Sequence, residues 1–253
     1  PGRFPAISAD GRFVAFASQA TNLVPGSTPG RQEIYVRDRQ TRMTEWVSVV
    51  AGAPVGNSSS SPAISADGRF VAFASDYGVY VRDRQTGTTG LVSVGTTSPA
   101  ISANGRFVAF VSAPPSVDDA HADAQQNPDG IYVRDRQTGT TELVSTNVRF
   151  LTGPPAISAD GRLIAFASHA EIDIRRPWGT TEAVSGQEVS VWDRQTGKTE
   201  LVSVSTSGAA PDGSGYSPTI SGDGRFVAFA SDTANLAPGN ANGRTQVYVA
   251  ERG

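Results

Sequence analysis

The chain has 253 residues, of which 27 are glycine and 16 proline, a combined share of about 17% against a usual ~12%, so turns recur at short intervals and a long-helix protein is excluded. Cysteine is absent, which removes disulfides, thiolate catalysis and zinc–thiolate sites together, and a formal charge of -3 lacks the basic excess that nucleic acid demands of a partner. No apolar run approaches the roughly 20 residues that span a bilayer, and Pro1 opens the chain without a signal-like segment, so the expectation is a soluble chain with no transmembrane segment, processed or cut from something longer.

Taken in order, the first elements set a pattern that then recurs. Residues 5–8 (Pro-Ala-Ile-Ser) form a short β-type segment, A, and Asp10-Gly11 follows as a hairpin turn of the type I′ kind, in which both central residues take positive φ. Residues 12–18 form segment B, which is apolar at both parities and so predicts a strand covered on both faces. After a loop at 19–32 come segment C, residues 34–38 (Ile-Tyr-Val-Arg-Asp), and segment D, residues 44–49. The A-to-B motif, Pro-(Ala/Thr)-Ile-Ser followed by (Asp/Asn)-Gly-Arg, returns with its turn residue at Asp67, Asn104, Asp160 and Asp223, at spacings of 57, 37, 56 and 63. Segment C returns at 79–83, 131–135, 189–193 and 247–251, and segment D at 89–94, 141–146 and 199–204; no D follows the fifth unit. Pro5, Pro62, Pro99, Pro155 and Pro218 each stand at the first residue of segment A, where a missing N–H costs a ladder least.

The reading is an all-β, five-bladed propeller in one domain, with blades of about 1–50, 51–95, 96–146, 147–204 and 205–253. Each blade is a four-stranded antiparallel meander, the last one three-stranded. Arg42 stands where the other units have Gly87, Gly139 and Gly197, which predicts a changed C-to-D turn in the first blade. Residues 1–4 are too short and proline-headed to replace the missing strand. Ring closure is then expected from face-to-face packing of blades one and five, with the edge at 246–252 open to self-association.

These residues resemble the WD40-like (PD40) repeats of TolB-type β-propellers, whose repeat carries a Pro-x-x-Ser-x-Asp-Gly-(Arg/Lys)-x-(Ile/Val)-Ala-Phe core and an Ile-Tyr-Val-x-Asp-x-x-Thr-Gly strand and turn. The resemblance covers essentially the whole chain. It implies a propeller and a secreted or periplasmic setting. It leaves function open among lectins, hydrolases, binding partners and scaffolds.

In such a meander the A-to-B and C-to-D turns share one end of each sheet, and the B-to-C loops and D-to-A crossovers share the other. The turn end carries ten arginines and nine acids in near-identical motifs. The loop end carries everything variable, with twelve acids against six arginines, and this acidic, diverse end is the expected working face. Two readings exist for the arginines after the Asp-Gly turns: an anion-holding ring, or pairing with neighbouring carboxylates.

The fourth unit departs most from its siblings. His169, Glu171, Asp173, Arg175, Arg176 and Trp178 fall in its loop, and Trp192 replaces the arginines at 37, 82 and 134, a combination of aromatic platforms and charges suited to a sugar ring or a peptide side chain. Trp178, His169 and Arg176 are expected to line a pocket; the alternative is a Trp178 that packs into its own loop. Asp118, Asp119, Asp123 and Asp129 offer hard oxygens for calcium without the spacing that fixes a coordination sphere, so the alternatives are a calcium site and no cofactor. The chain has only two histidines and no Gly-x-Ser-x-Gly, and its innermost segment holds no acid, which argues against a hydrolase triad and a glycosidase pair. The function expected is non-catalytic recognition of a glycan or a protein through the loop end, with a metal-dependent hydrolase or a purely structural scaffold as alternatives.

Overall fold

The computed structural model describes residues 3–26, 29–112, 130–146, 153–169, 187–205, 211–237 and 244–252, with the side chains of residues 3, 4, 96, 146 and 169 excepted. All regular structure among them is β. The first sheet runs β1 (Arg3–Ile7), β2 (Phe13–Ser18), β3 (Glu33–Asp38) and β4 (Thr44–Trp46), followed by a small hairpin of β5 (Val49–Val50) and β6 (Ala53–Pro54). The second holds β7 (Ser59–Ile64), β8 (Phe70–Ser75), β9 (Gly78–Asp83) and β10 (Thr88–Val94). The third holds β11 (Thr96–Ile101), β12 (Phe107–Ser112), β13 (Gly130–Asp135) and β14 (Thr141–Thr146). The fourth holds β15 (Ala156–Ile157), β16 (Leu163–His169), β17 (Gln187–Asp193) and β18 (Lys198–Leu201). The fifth has only β19 (Gly215–Ile220), β20 (Phe226–Ser231) and β21 (Gln246–Glu251). Every sheet is an antiparallel meander in chain order, as the repeats predict, and β1 pairs with β2 rather than with β21.

The chain divides into two compact bodies, Pro1–Pro128 with Tyr132–Glu142, and Asp129–Ile131 with Leu143–Gly253. Within each body the sheets stack by one recurring joint. In the first, Ala15, Ala17, Ile34, Val36 and Val47 of the first sheet bury against Val71 and Phe73 of the second. In the second, Ala165, Ala167, Val189, Val191 and Val202 of the fourth sheet bury against Val227 and Phe229 of the fifth. Strand B is thus covered on both faces: Val71, Ala72 and Phe73 are all fully buried. Each joint has a lock of one apolar side chain, a ring in the first body and Leu163 in the second, against a turn glycine. A Cβ on Gly68 would sit inside the Phe13 ring, one on Gly105 inside Phe70, and one on Gly224 inside Leu163. Only glycine lets the neighbouring side chain reach the turn backbone. Phe13 lies between Arg12 at 4.7 Å and Arg84 of the next sheet at 4.5 Å, and Phe70 lies between Arg69 and Arg136, each at 4.7 Å. Adjacent turns are also stitched by backbone bonds, Ala9 to Ala66, Ala66 to Ala103 and Ala159 to Gly222, at 2.9–3.0 Å.

Three sequence expectations are corrected. The Asp-Gly hairpins are not type I′: among the described residues, positive φ outside glycine occurs only at Arg42, Ala51, Ser61, Ser98 and Ser217, so Asp10 and its equivalents are not left-handed while Gly11, at +71°, is. The acid serves as an acceptor instead. Asp10 Oδ1 takes the Ser8 hydroxyl at 2.6 Å and the Arg12 amide at 2.9 Å, and Gly11 N–H closes the turn on Ser8 O at 2.9 Å. Pro155 stands directly before β15, but the other four prolines do not open their strands. Pro62, Pro99 and Pro218 sit inside β7, β11 and β19, at register shifts that lie between Ser60 and Ala63, Thr97 and Ala100, and Tyr216 and Thr219. The serine before each of these prolines is left-handed, at +47° to +54°, so the strand bulges where the N–H is missing. Arg42 does not change its turn: its φ of +61° matches +72°, +76° and +67° at Gly87, Gly139 and Gly197, and its N–H bonds Asp38 O at 2.8 Å as theirs bond Asp83, Asp135 and Asp193.

Candidate functional site

The turn end is closed chemistry. Arg12 clamps Asp38 with two bonds of 3.1 and 2.7 Å, and Arg69–Asp83, Arg106–Asp135 and Arg162–Asp193 repeat the clamp with one bond of 2.9–3.0 Å and one of 2.6–2.7 Å. In the fifth sheet Arg225 reaches one oxygen of Glu251 at 2.9 and 2.5 Å. Each aspartate also accepts the amide two residues on, such as Gln40 N–H on Asp38 at 2.9 Å. The guanidinium beside each of Asp38, Asp83, Asp135 and Asp193 holds its carboxyl well below the usual carboxylate range, and the aspartates in turn raise the arginines. A second set of arginines donates to the turn glycine: Arg39 to Gly11 O, Arg84 to Gly68 O, Arg136 to Gly105 O, Arg194 to Gly161 O and Arg252 to Gly224 O. Two of these reach back to an acid on the preceding sheet, Arg84 to Glu45 at 2.8 Å and Arg252 to Glu200 at 2.9 Å. Of the two readings for the first arginine set, pairing is the one found.

The loop end is less acidic in effect than its composition. Glu33 is buried, 1% exposed; its Oε2 accepts the Ser48 hydroxyl at 2.5 Å and the Trp46 indole N–H at 3.4 Å, while its Oε1 has no hydrogen-bond partner among the described residues. Burial pushes its pKa up, against the bond from Ser48. Glu188 pairs across the ladder with Ser168 as Glu33 does with Ser18, and is as deeply buried. Asp76 caps the Asn57 amide at 2.7 Å, Asp232 caps the Ser214 amide at 2.7 Å and accepts the Tyr216 hydroxyl at 2.9 Å, and Asp212 caps Ala234 at 2.8 Å. Five of the twelve loop-end acids therefore hold the crossovers in place or lie in the interior, which the sequence count could not distinguish from free surface charge.

Of the residues singled out for ligand binding, Glu171, Asp173, Arg175, Arg176 and Trp178 lie outside the described residues. His169 ends β16 opposite Gln187, at the loop end of its sheet. Trp192 does not join it. It pairs with Ile164 and Thr199, one residue from the Asp193 clamp at the turn end, and is buried, 9% exposed. It stands five positions along β17 from Gln187, about 17 Å of extended chain. The sequence pattern carried the signal: Trp192 replaces Arg37, Arg82 and Arg134, two of which bond a threonine of strand D at 2.9 Å, so its position is set by strand pairing rather than by the loop. The candidate metal ligands Asp118, Asp119, Asp123 and Asp129 also fall outside the described residues, and among the described ones no three metal-ligating side chains converge.

With this geometry in hand, solved structures provide the comparison. TolB from Acinetobacter baumannii matches over 99% of this chain and 54% of its own, with a TM-score of 0.55 and 20% identity. The β-propeller domain of the Trilobed protease from Pyrococcus furiosus, described as having an open velcro topology, matches over 99% and 68%, with a TM-score of 0.61 and 14% identity. An oligogalacturonate lyase in complex with manganese matches over 98% and 64%, with a TM-score of 0.57 and 13% identity. The chain thus spans about half the length of the TolB it matches. No family model matches the sequence, and the search of curated proteins gives no match. The fold is that of a β-propeller, shared with these structures.

Proposed function

We propose that the chain is a non-catalytic recognition module that binds a glycan or a protein through the loop end of its sheets. The observation that carries this reading is the asymmetry between the two ends. At the turn end every arginine after an Asp-Gly turn is committed to a carboxylate of its own sheet, whereas the segments that differ from unit to unit all leave from the other end. The fourth unit's loop, with His169, Arg176 and Trp178, is the proposed contact surface; Trp192 is not part of it. The innermost strands carry no acid, consistent with binding rather than bond cleavage.

A glycan array and capture of partner proteins on the immobilised chain test the reading. Binding that Trp178→Ala abolishes while the melting temperature is unchanged supports it. A second reading, a metal-dependent hydrolase with calcium or another divalent ion at Asp118, Asp119, Asp123 and Asp129, is favoured by the manganese complex of the lyase with the same fold. Turnover of a glycan or peptide substrate that a chelator stops would replace the first reading with this one.

A further inference from the structure

At the turn end, one arginine faces a glycine where its counterparts at two other joints face an acid. Strand register fixes the comparison: Glu45, Gly90 and Glu200 stand opposite Val36, Val81 and Val191, the same position of strand D in three sheets. Glu45 reaches the next sheet, where its Oε2 accepts Arg84 Nε–H at 2.8 Å, and Glu200 accepts Arg252 Nε–H in the same way at 2.9 Å. Between the second and third sheets the arginine is Arg136, and the residue at the acid position is Gly90. The rest of the joint is retained. Arg136 Nη1 donates to Gly105 O at 2.6 Å, as Arg84 Nη1 does to Gly68 O at 2.7 Å. Arg136 also lies 4.7 Å from the Phe70 ring, where Arg84 lies 4.5 Å from Phe13. The same two anchors hold both guanidinium groups, which leaves the Nε edge of Arg136 for the acid position.

That position is open. Gly90 is exposed, and a Cβ built on it would meet no atom within 4 Å. Gly90 and Arg136 belong to the same compact body. Among the described residues no other carboxylate takes the place of the missing one. Asp83, whose charge acts on Arg136, has both oxygens engaged by Arg69 at 2.9 and 2.7 Å. A half-buried guanidinium held between a ring and a carbonyl has already given up part of its water, so a carboxylate arriving there gains a charge-assisted bond for little further desolvation.

We propose that Gly90 and Arg136 form a carboxylate-binding site, which takes a carboxylate on a short aliphatic stem in the place that Glu45 and Glu200 fill at the other two joints. The ligand chemistry follows from the residues themselves, since glycine is glutamate without a propionate-sized arm. A free short-chain acid and the glutamate side chain of a partner both present that group. The site lies at the turn end and does not rest on the loop-end reading.

The test is a titration of the 253-residue chain, isotopically labelled at its arginine nitrogens, with sodium propionate at an ionic strength held constant with sodium chloride. The arginine Nε–H resonances report binding, and Arg136→Lys, which keeps the charge, assigns the Arg136 signal by its loss. That signal is expected to move saturably. In Gly90→Glu, where a tethered acid occupies the site, its movement should fall about tenfold. The α-methylamide of N-acetylglutamate separates the two sources: movement with both probes supports a site open to a partner's glutamate, and movement with propionate alone supports a site for small free acids. A response that does not saturate, one that chloride alone reproduces, or one that Gly90→Glu retains in full would each overturn the proposal.

Discussion

At the scale of single residues, backbone conformation and side-chain role come apart. Arg42 holds a left-handed turn that three glycines hold elsewhere, at a cost of about 1–2 kcal/mol for an L-residue, offset in part by the unfolded-state entropy glycine would add. Arg42→Gly is therefore expected to stabilise the chain by about 0.5–1 kcal/mol, read as a rise in thermal midpoint. Glu33 gives a pH-dependent counterpart. Its folded pKa lies above the unfolded value, so the folded state holds the extra proton and stability falls as pH rises through the folded pKa. Glu33→Gln should raise the melting temperature at pH above the raised folded pKa and lose that advantage as pH falls toward about 4, the unfolded pKa of glutamate. Asn104 shows what the sequence could and could not say. Its substitution for aspartate is legible as a turn choice, but the reason is its side-chain oxygen, which accepts the Ser102 hydroxyl at 2.8 Å and the Arg106 amide at 3.0 Å as aspartate does.

Among elements, the joint between sheets is the unit of stability. Gly68→Ala would drive a methyl into the Phe13 ring at a φ of +74° and should cost about 2–4 kcal/mol, measured by denaturant unfolding. Gly90 stands in strand D where Glu45, Glu142 and Glu200 stand in the other units. Among the described residues Arg136 accordingly has no counterpart of the acid that Arg84 finds in Glu45, and burial lowers its pKa. Gly90→Glu is expected to supply that acid and to add about 0.5–1 kcal/mol, with a double-mutant cycle against Arg136 isolating the pair. The strands and their order were readable because the same short segments and turn residues return in every unit, and both are local signals. The bulges were not: proline announces a missing donor, but where the ladder slips depends on the partner strand, as the shift between Ser60 and Ala63 opposite β8 shows. The loop-end site was readable only as composition. Whether Asp76 caps Asn57 or faces solvent is decided by a crossover nineteen residues away.

For the molecule as a whole, the aspartate clamps set the response to acid. Asp38, Asp83, Asp135 and Asp193 have folded pKa values below their unfolded ones, so their contribution is fully present above about pH 4 and is lost as pH falls below it. The melting temperature should drop steeply between about pH 4 and pH 2, and Asp135→Asn should flatten part of that slope. The arginines stay charged throughout, so acid leaves the turn end with like charges and no counterions.

The lock between neighbouring sheets has a consequence for descent. One repeat carries a ring on its trailing side and the glycine and arginine that receive such a ring on its leading side, so a tandem gene duplication yields a matching joint at once, with nothing to adapt. The same polarity displaces the effect of drift. Gly90 stands in the second repeat, and the arginine that it leaves without the equivalent of Glu45 is Arg136 in the third. Lineages of this chain should therefore show compensating changes one repeat downstream of the substitution that provoked them.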